Sequence, residues 1–299
     1  MPEGLIVKAL SGYYYVRPDG QQMTEVVQCR ARGIFKKRGE SPLVGDRVLF
    51  SMTDNGEGTV EEIKPRSSSL IRPPIANVGL VLLTFSVLEP DFNLQLLDKF
   101  LVHIEHAGLE VVIVLTKWDL LEDAAKQDEV EASAALYRSI GYPVVITSSK
   151  QKSGYEALFE LLSHEISVFA GQSGVGKSSL LNTMIPGAML ETNMISHRLG
   201  RGKHTTRHVE LLELPRGGYI ADTPGFSQLD FLELGVEQLS DCFREFKALS
   251  EQCKFRGCTH THEPGCQVKE ALEAGDIAAS RYEHYALFLE EMKEKKRRY

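Results

Sequence analysis

VFAGQSGVGKSSLL, residues 168–181, is the stretch whose reading decides the fold. It starts apolar like the end of a strand, runs through a glycine-rich middle, and ends with the composition of a helix start. Gly171, Gly176, Lys177 and Ser178 fit the spacing G-x-x-x-x-G-K-[ST]. Glycines let backbone N–H groups close around phosphate oxygens where a Cβ would intrude. A helix beginning near Lys177 turns the positive end of its dipole toward the same anion. Lys177 can reach β- and γ-phosphates, and Ser178 offers a hydroxyl to Mg²⁺. The expected phosphate cradle comprises Gly171, Gln172, Ser173, Gly174, Val175, Gly176, Lys177, Ser178 and Ser179.

Outward from this loop, apolar runs alternate with amphipathic stretches. NVGLVLLTFSV (77–87), EVVIVL (110–115) and YPVVITS (142–148) read as strands. Residues 94–106, 128–140 and 155–162 carry apolar side chains at helical spacing. VELLEL (209–214) and GGYIAD (217–222) follow the loop. The alternation predicts a mostly parallel sheet covered on both faces.

Two motifs fall at strand ends before the loop. Thr116, Lys117, Trp118 and Asp119 follow EVVIVL. A carboxylate at Asp119 accepts from N1–H and the exocyclic amine of guanine, a donor pair that adenine lacks. Lys117 can pack its stem over the base. Ser148, Ser149 and Lys150, in TSSK (147–150), offer backbone N–H to the guanine oxygen. After the loop comes DTPG (222–225), where Asp222 would hold Mg²⁺ through water and the Gly225 N–H would sense the γ-phosphate.

The flanks differ in kind. Residues 1–64 show five short apolar or alternating runs separated by turn residues, the pattern of a small barrel of the oligonucleotide-binding (OB) type. Tyr13, Tyr14 and Tyr15 are either base-stacking faces or core, and Arg30, Arg32, Lys36, Lys37 and Arg38 make a basic loop. Residues 64–76, rich in Pro and Ser, read as an extended linker. CKFRGCTHTHEPGC (253–266) places three Cys and two His in a turn-rich segment. Thiolate and imidazole suit a structural zinc ion, with Cys253, Cys258, His260 and Cys266 as the chosen ligands and His262 as the spare. Cys29 and Cys242 read as ordinary buried residues. Helices are expected at 236–246, 268–274 and 277–295, before the basic end KEKKRRY.

The totals narrow the classes. The chain has 299 residues, 42% hydrophobic and 25% charged, an ordinary globular balance for two or three domains. A net charge of −7 confines any nucleic-acid contact to local surfaces. The longest apolar run, 78–88, is too short to cross a bilayer, and residues 1–10 lack the features of a signal peptide. A cytoplasmic protein without membrane attachment is expected. Five cysteines, three of them clustered, favour metal over disulfides.

Together the motifs resemble the guanine-nucleotide P-loop GTPases, but in a different order. The base motifs precede the P-loop and DTPG comes last, a circular permutation. The full arrangement of small barrel, permuted GTPase domain and Cys₃His segment resembles the RsgA family, also called YjeQ or YloQ. The domains expected are 1–64 (OB, RNA-binding), 65–76 (linker), 77–228 (permuted GTPase) and 229–299 (helical, zinc-binding). The resemblance implies GTP hydrolysis to GDP, Mg²⁺, one structural Zn²⁺, and binding to the small ribosomal subunit and its rRNA. It also implies that hydrolysis times a late maturation step and the factor's release. A rival reading makes the protein an RNA-binding assembly placeholder that uses GTP as a conformational lock. A monomer is assumed.

Two departures shape the expected mechanism. Phe226 follows DTPG, where many signalling GTPases place a Gln that orients water. His204, in GRGKHTTR (200–207), is the candidate to orient that water, or else contacts phosphate or RNA. Thr206, or Thr205, would complete the Mg²⁺ shell with Ser178 and Asp222. The second departure is Thr116, which stands where the usual base motif has Asn.

Overall fold

The structure is a computed structural model that describes residues 1–20, 25–71, 73–186, 209–226 and 234–298, with backbone alone at 222–226 and 296–298. The expected positions His204, Thr205 and Thr206 lie outside the described residues, as do the side chains of Asp222 and Gly225.

The N-terminal runs form β1 (Glu3–Leu10), β2 (Tyr13–Pro18), β3 (Val27–Ala31), β4 (Arg47–Met52) and β5 (Gly58–Ile63). They pair in the order β1-β2-β3-β5-β4, and β4 pairs back onto β1, so the barrel closes. Alternation turns Ile6, Val16, Cys29, Val48, Phe50 and Val60 inward to a shared core. Part of the expected basic loop is a short helix, α1 (Gly33–Lys37), which seats Phe35 against the barrel and leaves Lys36 and Lys37 exposed. Tyr14 and Tyr15 pack against the core, and Tyr13 lies beneath the Arg30 guanidinium, 4.7 Å from Cζ to ring centroid.

The segment read as an extended linker doubles back. Short strands β6 (Ser69–Leu70) and β7 (Ile75–Ala76) pair antiparallel, and Ile75 bridges to Val44 beside the barrel. Arg66 fixes the start of this hairpin with a bidentate pair of bonds to the buried Asp46, at 2.7 and 2.8 Å. A Pro- and Ser-rich composition marks a chain without regular structure, but the buried apolar Leu70, Ile75 and Ala76 hold it down.

The second half contains β8 (Leu80–Ser86), α2 (Leu94–His106), β9 (Glu110–Thr116), α3 (Ala124–Ile140), β10 (Val144–Ile146), α4 (Tyr155–Leu162), β11 (Ile166–Ala170), α5 (Lys177–Met184), β12 (Glu210–Glu213) and β13 (Tyr219–Phe226). The sheet order is β10-β9-β8-β11-β13-β12, parallel except for β12. Every residue of β8 is buried, as a strand covered on both faces requires. Val81, Leu83 and Phe85 meet the helices α2 and α3; Leu80 and Leu82 meet α4 and α5. Asn93 caps α2 by accepting from the Leu96 N–H, and Asp123 caps α3, which therefore starts four residues earlier than the 128–140 periodicity implies.

The sheet continues into the barrel. β12 pairs with β1 at Lys8 and Glu210, whose side chains form an ion pair at 2.8 Å. On the other side of β12, Glu210 stands opposite Asp222 of β13. Arg17 of β2 pairs with Glu213.

The C-terminal helices are α6 (Arg244–Ser250), α7 (Gln267–Ala274) and α8 (Ala279–Arg298). The helix expected over 236–246 is instead two short 3₁₀ turns followed by α6. Phe243 breaks it with an extended backbone (φ −108°, ψ 106°), which puts its ring against Phe246 and Tyr285. This cluster docks on α2 through Val102 and through a buried charge network. Asp98 is 0% and Arg281 1% exposed. Asp98 accepts from Arg281 Nη1 at 2.5 Å and from the Tyr137 hydroxyl at 2.6 Å, and lies 2.5 Å from His284 Nδ1. Arg281 also donates to Glu245 at 2.6 and 3.0 Å. Removing one partner of such a network leaves a buried charge uncompensated. Arg281→Met is therefore expected to destabilise the protein by about 3–5 kcal/mol, read as a lowered midpoint in urea unfolding; an unchanged midpoint would show the network to be energetically idle.

Candidate nucleotide and metal sites

In an open parallel sheet, ligands sit beyond the carboxyl ends of the strands where the chain's path reverses. From β8 the chain adds β9 and β10 on one side, then returns to place β11 on the other. The reversal lies between β8 and β11, and the P-loop leaves the end of β11 at that point. Gly171 has φ +119°, and a Cβ there would stand 2.1 Å from the Thr84 carbonyl oxygen of β8, so only glycine fits. The loop then feeds α5, whose first residue is Lys177, as the spacing predicts. Ser178 is buried on its first turn. The Lys177 ammonium donates to the carbonyls of Gly171 and Gln172, at 2.8 and 2.5 Å. Burial lowers its pKa to about 8. On the far side of β11, β13 runs parallel with Val168 opposite Ala221, which brings the Asp222 backbone to the mouth of the loop.

The base motif meets the loop from the other side. β9 ends at Thr116, buried, whose hydroxyl donates to the Val175 carbonyl of the P-loop. Lys117 takes a left-handed backbone (φ 60°) and its ammonium donates to the Glu89 carbonyl in the loop after β8. Asp119 follows on a single 3₁₀ turn. Its carboxylate accepts from the buried Ser148 hydroxyl, so the TKWD and TSSK segments touch. Trp118 N–H donates to the Thr147 carbonyl at 3.2 Å, which ties the same two segments by backbone. The Ser149 hydroxyl lies 2.9 Å from the Tyr155 hydroxyl, and Lys150 is exposed at the rim.

The cysteine segment folds into one cluster. The ligand atoms of Cys253, Cys258, His260 and Cys266 lie within 4.8 Å of one another. Cys253 Sγ is 4.0 Å from Cys266 Sγ and 3.7 Å from His260 Nδ1, and His260 Nδ1 is 3.3 Å from Cys266 Sγ. Tetrahedral zinc at the usual bond lengths places its ligand atoms about 3.5–3.8 Å apart, so this donor set fits the ion. His262, the spare, is exposed and outside the cluster. Cys29 and Cys242 are buried singly, as expected.

The imidazole is oriented from behind. The Ser250 hydroxyl donates to the Phe246 carbonyl, so its oxygen, 3.2 Å away, accepts from His260 Nε2–H and leaves the Nδ1 lone pair for the metal. Burial lowers the His260 pKa, which favours that neutral form.

Glu263 is the residue that sequence reading missed. It accepts from the Thr259 N–H and hydroxyl and from the N–H groups of Thr261 and His262, at 2.7–3.1 Å. Burial opposes its ionisation, but hydrogen bonds from the Thr259 hydroxyl and from the N–H groups of Thr259, Glu263 and Thr261 win and hold its pKa at about 2. An acid one residue beyond His-Thr-His was the available signal, a short-range acceptor for turn N–H groups. Ser250, by contrast, gives no signal in sequence.

Two measurements follow from these geometries. Burial lowers the Lys177 pKa to about 8, and a bound phosphate favours its charged form. GDP binding at pH 8 is therefore expected to take up roughly half a proton, measured by calorimetry in buffers of different ionisation heat; zero uptake would contradict it. Glu263→Ala frees the turn that carries His260 and is expected to weaken zinc affinity by about 10-fold or more, measured by competition with a chromophoric chelator. Affinity within twofold of the parent would show that the turn holds itself.

Known proteins resemble the chain along its whole length. The sequence profile described as RsgA GTPase matches residues 63–232, and that of the RsgA N-terminal domain matches residues 3–60. The chain is 53% identical to a protein of Shouchella clausii and 50% identical to one of Bacillus subtilis, over 299 residues and the whole of each chain. Both relatives are named small ribosomal subunit biogenesis GTPase RsgA. Among solved structures it superposes on YloQ, described as a circularly permuted GTPase, with a TM-score of 0.86, 45% identity, and 99% and 96% of the two chains covered. It also superposes on YjeQ from Thermotoga maritima, with a TM-score of 0.86, 39% identity, and 97% and 98% covered. The barrel, the permuted order of motifs and the full-length identity converge: the chain belongs to the RsgA family of circularly permuted GTPases.

Proposed function

We propose that this GTPase binds the small ribosomal subunit through its rRNA and hydrolyses GTP to GDP and phosphate, timing a late maturation step and its own release. The observation that carries the reading is identity of 50–53% over the whole chain with proteins named for small-subunit biogenesis. The nucleotide would sit between the P-loop, residues 171–179, and the base motifs at Thr116, Lys117, Asp119 and residues 148–150. Asp119 would select guanine by accepting from the base's N1–H and exocyclic amine. Mg²⁺ would be held by Ser178, Asp222 and Thr206, the last outside the described residues. Zinc in the Cys₃His cluster would supply folding energy rather than chemistry.

Exposed cations of the barrel domain support RNA binding. Arg30 stacked on Tyr13 and the exposed Lys36, Lys37 and Arg38 form a local cationic surface on a chain of net charge −7. No helix among the described residues is long and apolar enough to cross a membrane. The working assignment is a cytoplasmic monomer with domains at 1–64, 77–228 and 229–299, joined by 65–76.

His204 lies outside the described residues and enters as a proposal from sequence. Phe226 has no polar group to orient water, so His204 takes that role in the subunit-bound state. Its replacement should cost roughly 10²- to 10⁴-fold in turnover. His204→Ala is expected to keep GTP affinity within threefold, lose subunit-stimulated turnover, and stay on small subunits in co-sedimentation with GTP. Release of that variant at the parent's rate would overturn hydrolysis as the trigger for departure.

A further inference from the structure

We propose that Thr116 is a positioning residue for the phosphate loop rather than a contact to the base: its hydroxyl fixes the Val175–Gly176 peptide so that the Gly176 N–H is presented to the nucleotide's phosphates. The inference rests on the nucleotide site proposed above. Thr116 closes β9 and is 4% exposed. Its hydroxyl has two neighbours, the Val175 carbonyl at 2.5 Å and the Phe85 carbonyl at 3.2 Å. Both are acceptors, so the single hydroxyl proton is committed to them, and Val175 is the nearer.

In a planar trans peptide the C=O and the N–H of the next residue point in opposite directions. Holding the Val175 carbonyl toward Thr116 therefore turns the Gly176 N–H away from the strand and toward the opening of the loop. Gly176 has φ +98°, outside the helix that starts at Lys177, so α5 does not set this peptide's orientation. The loop passes close enough for the bond to matter: a Cβ on Gly176 would lie 3.5 Å from the Thr116 hydroxyl oxygen.

Base recognition is secured separately. Asp119 is oriented by the Ser148 hydroxyl and by the backbone bond from Trp118 to Thr147. The Thr116 hydroxyl bonds to neither. Loss of its hydroxyl should weaken every phosphate-bearing guanine nucleotide alike and leave discrimination among bases intact. A buried carbonyl deprived of its donor is costly, and the loop can recover only by rotating the peptide away from its phosphate-facing pose.

Thr116→Val keeps the shape and removes the hydroxyl. It is expected to raise Kd for both GTP and GDP by roughly tenfold, with the GTP-over-ITP preference within twofold of the parent's. Thr116→Ser, which restores the hydroxyl, should recover affinity to within threefold. Thr116→Ala carries the same test if the valine variant does not fold. Parental affinity in the hydroxyl-free variant would overturn the proposal, and so would a collapse of the GTP-over-ITP preference, which would make Thr116 a base contact. Lys177→Ala serves as control: if it leaves nucleotide affinity untouched, the site itself is misplaced and both readings fall. If it abolishes binding while Thr116→Val does not, only the present inference fails.

Discussion

Parallel pairing of β8 with β11 presses Gly171 against the Thr84 carbonyl, and the rest of the nucleotide site depends on that contact. The P-loop must turn within a space that admits no side chain. Once it does, Thr116 at the end of β9 lies on one side of the loop and the Asp222 backbone at the end of β13 on the other. Three motifs far apart in sequence, and out of their usual order, thus converge because the carboxyl ends of neighbouring parallel strands must. Permuting the chain changes which loops are continuous but not which strands are adjacent, so the chemistry survives.

The flanking parts are joined to this sheet by different physics. The barrel continues it by hydrogen bonding: Lys8 stands opposite Glu210, and Glu210 opposite Asp222, so one row of the ladder runs from the barrel to the DTPG strand. The ion pairs there, Lys8 with Glu210 and Arg17 with Glu213, are partly exposed and individually weak. The C-terminal helices dock through buried charge instead, with Asp98 of α2 gripped by Arg281 and by the Tyr137 hydroxyl.

Much of this was legible in residues alone. The P-loop, the parallel strands and the Cys₃His cluster each carry a pattern that elementary chemistry explains, and each was found where the pattern put it. The less legible features arise from packing. Residues 65–76 read as extended because Pro and Ser dominate, while the buried Leu70 and Ile75 seat the segment as a short hairpin. The stretch 236–246 has helical spacing, but Phe243 gains more in the aromatic cluster than in a continuous helix. Ser250 acts through a hydrogen bond to His260 that only the fold brings near, whereas the partners of Glu263 lie within four residues of it. The amide missing at position 116 looked like a lost contact, and the structure shows a hydroxyl bonded to the loop there.

In the function proposed above, one guanine-nucleotide site, assembled by a permuted sheet, reports to the small ribosomal subunit. Its most direct test is steady-state GTP turnover by the full chain, alone, with isolated small subunits and with large subunits. Acceleration by small subunits only is the predicted result. An unchanged slow rate with both, or equal acceleration by either, would contradict it.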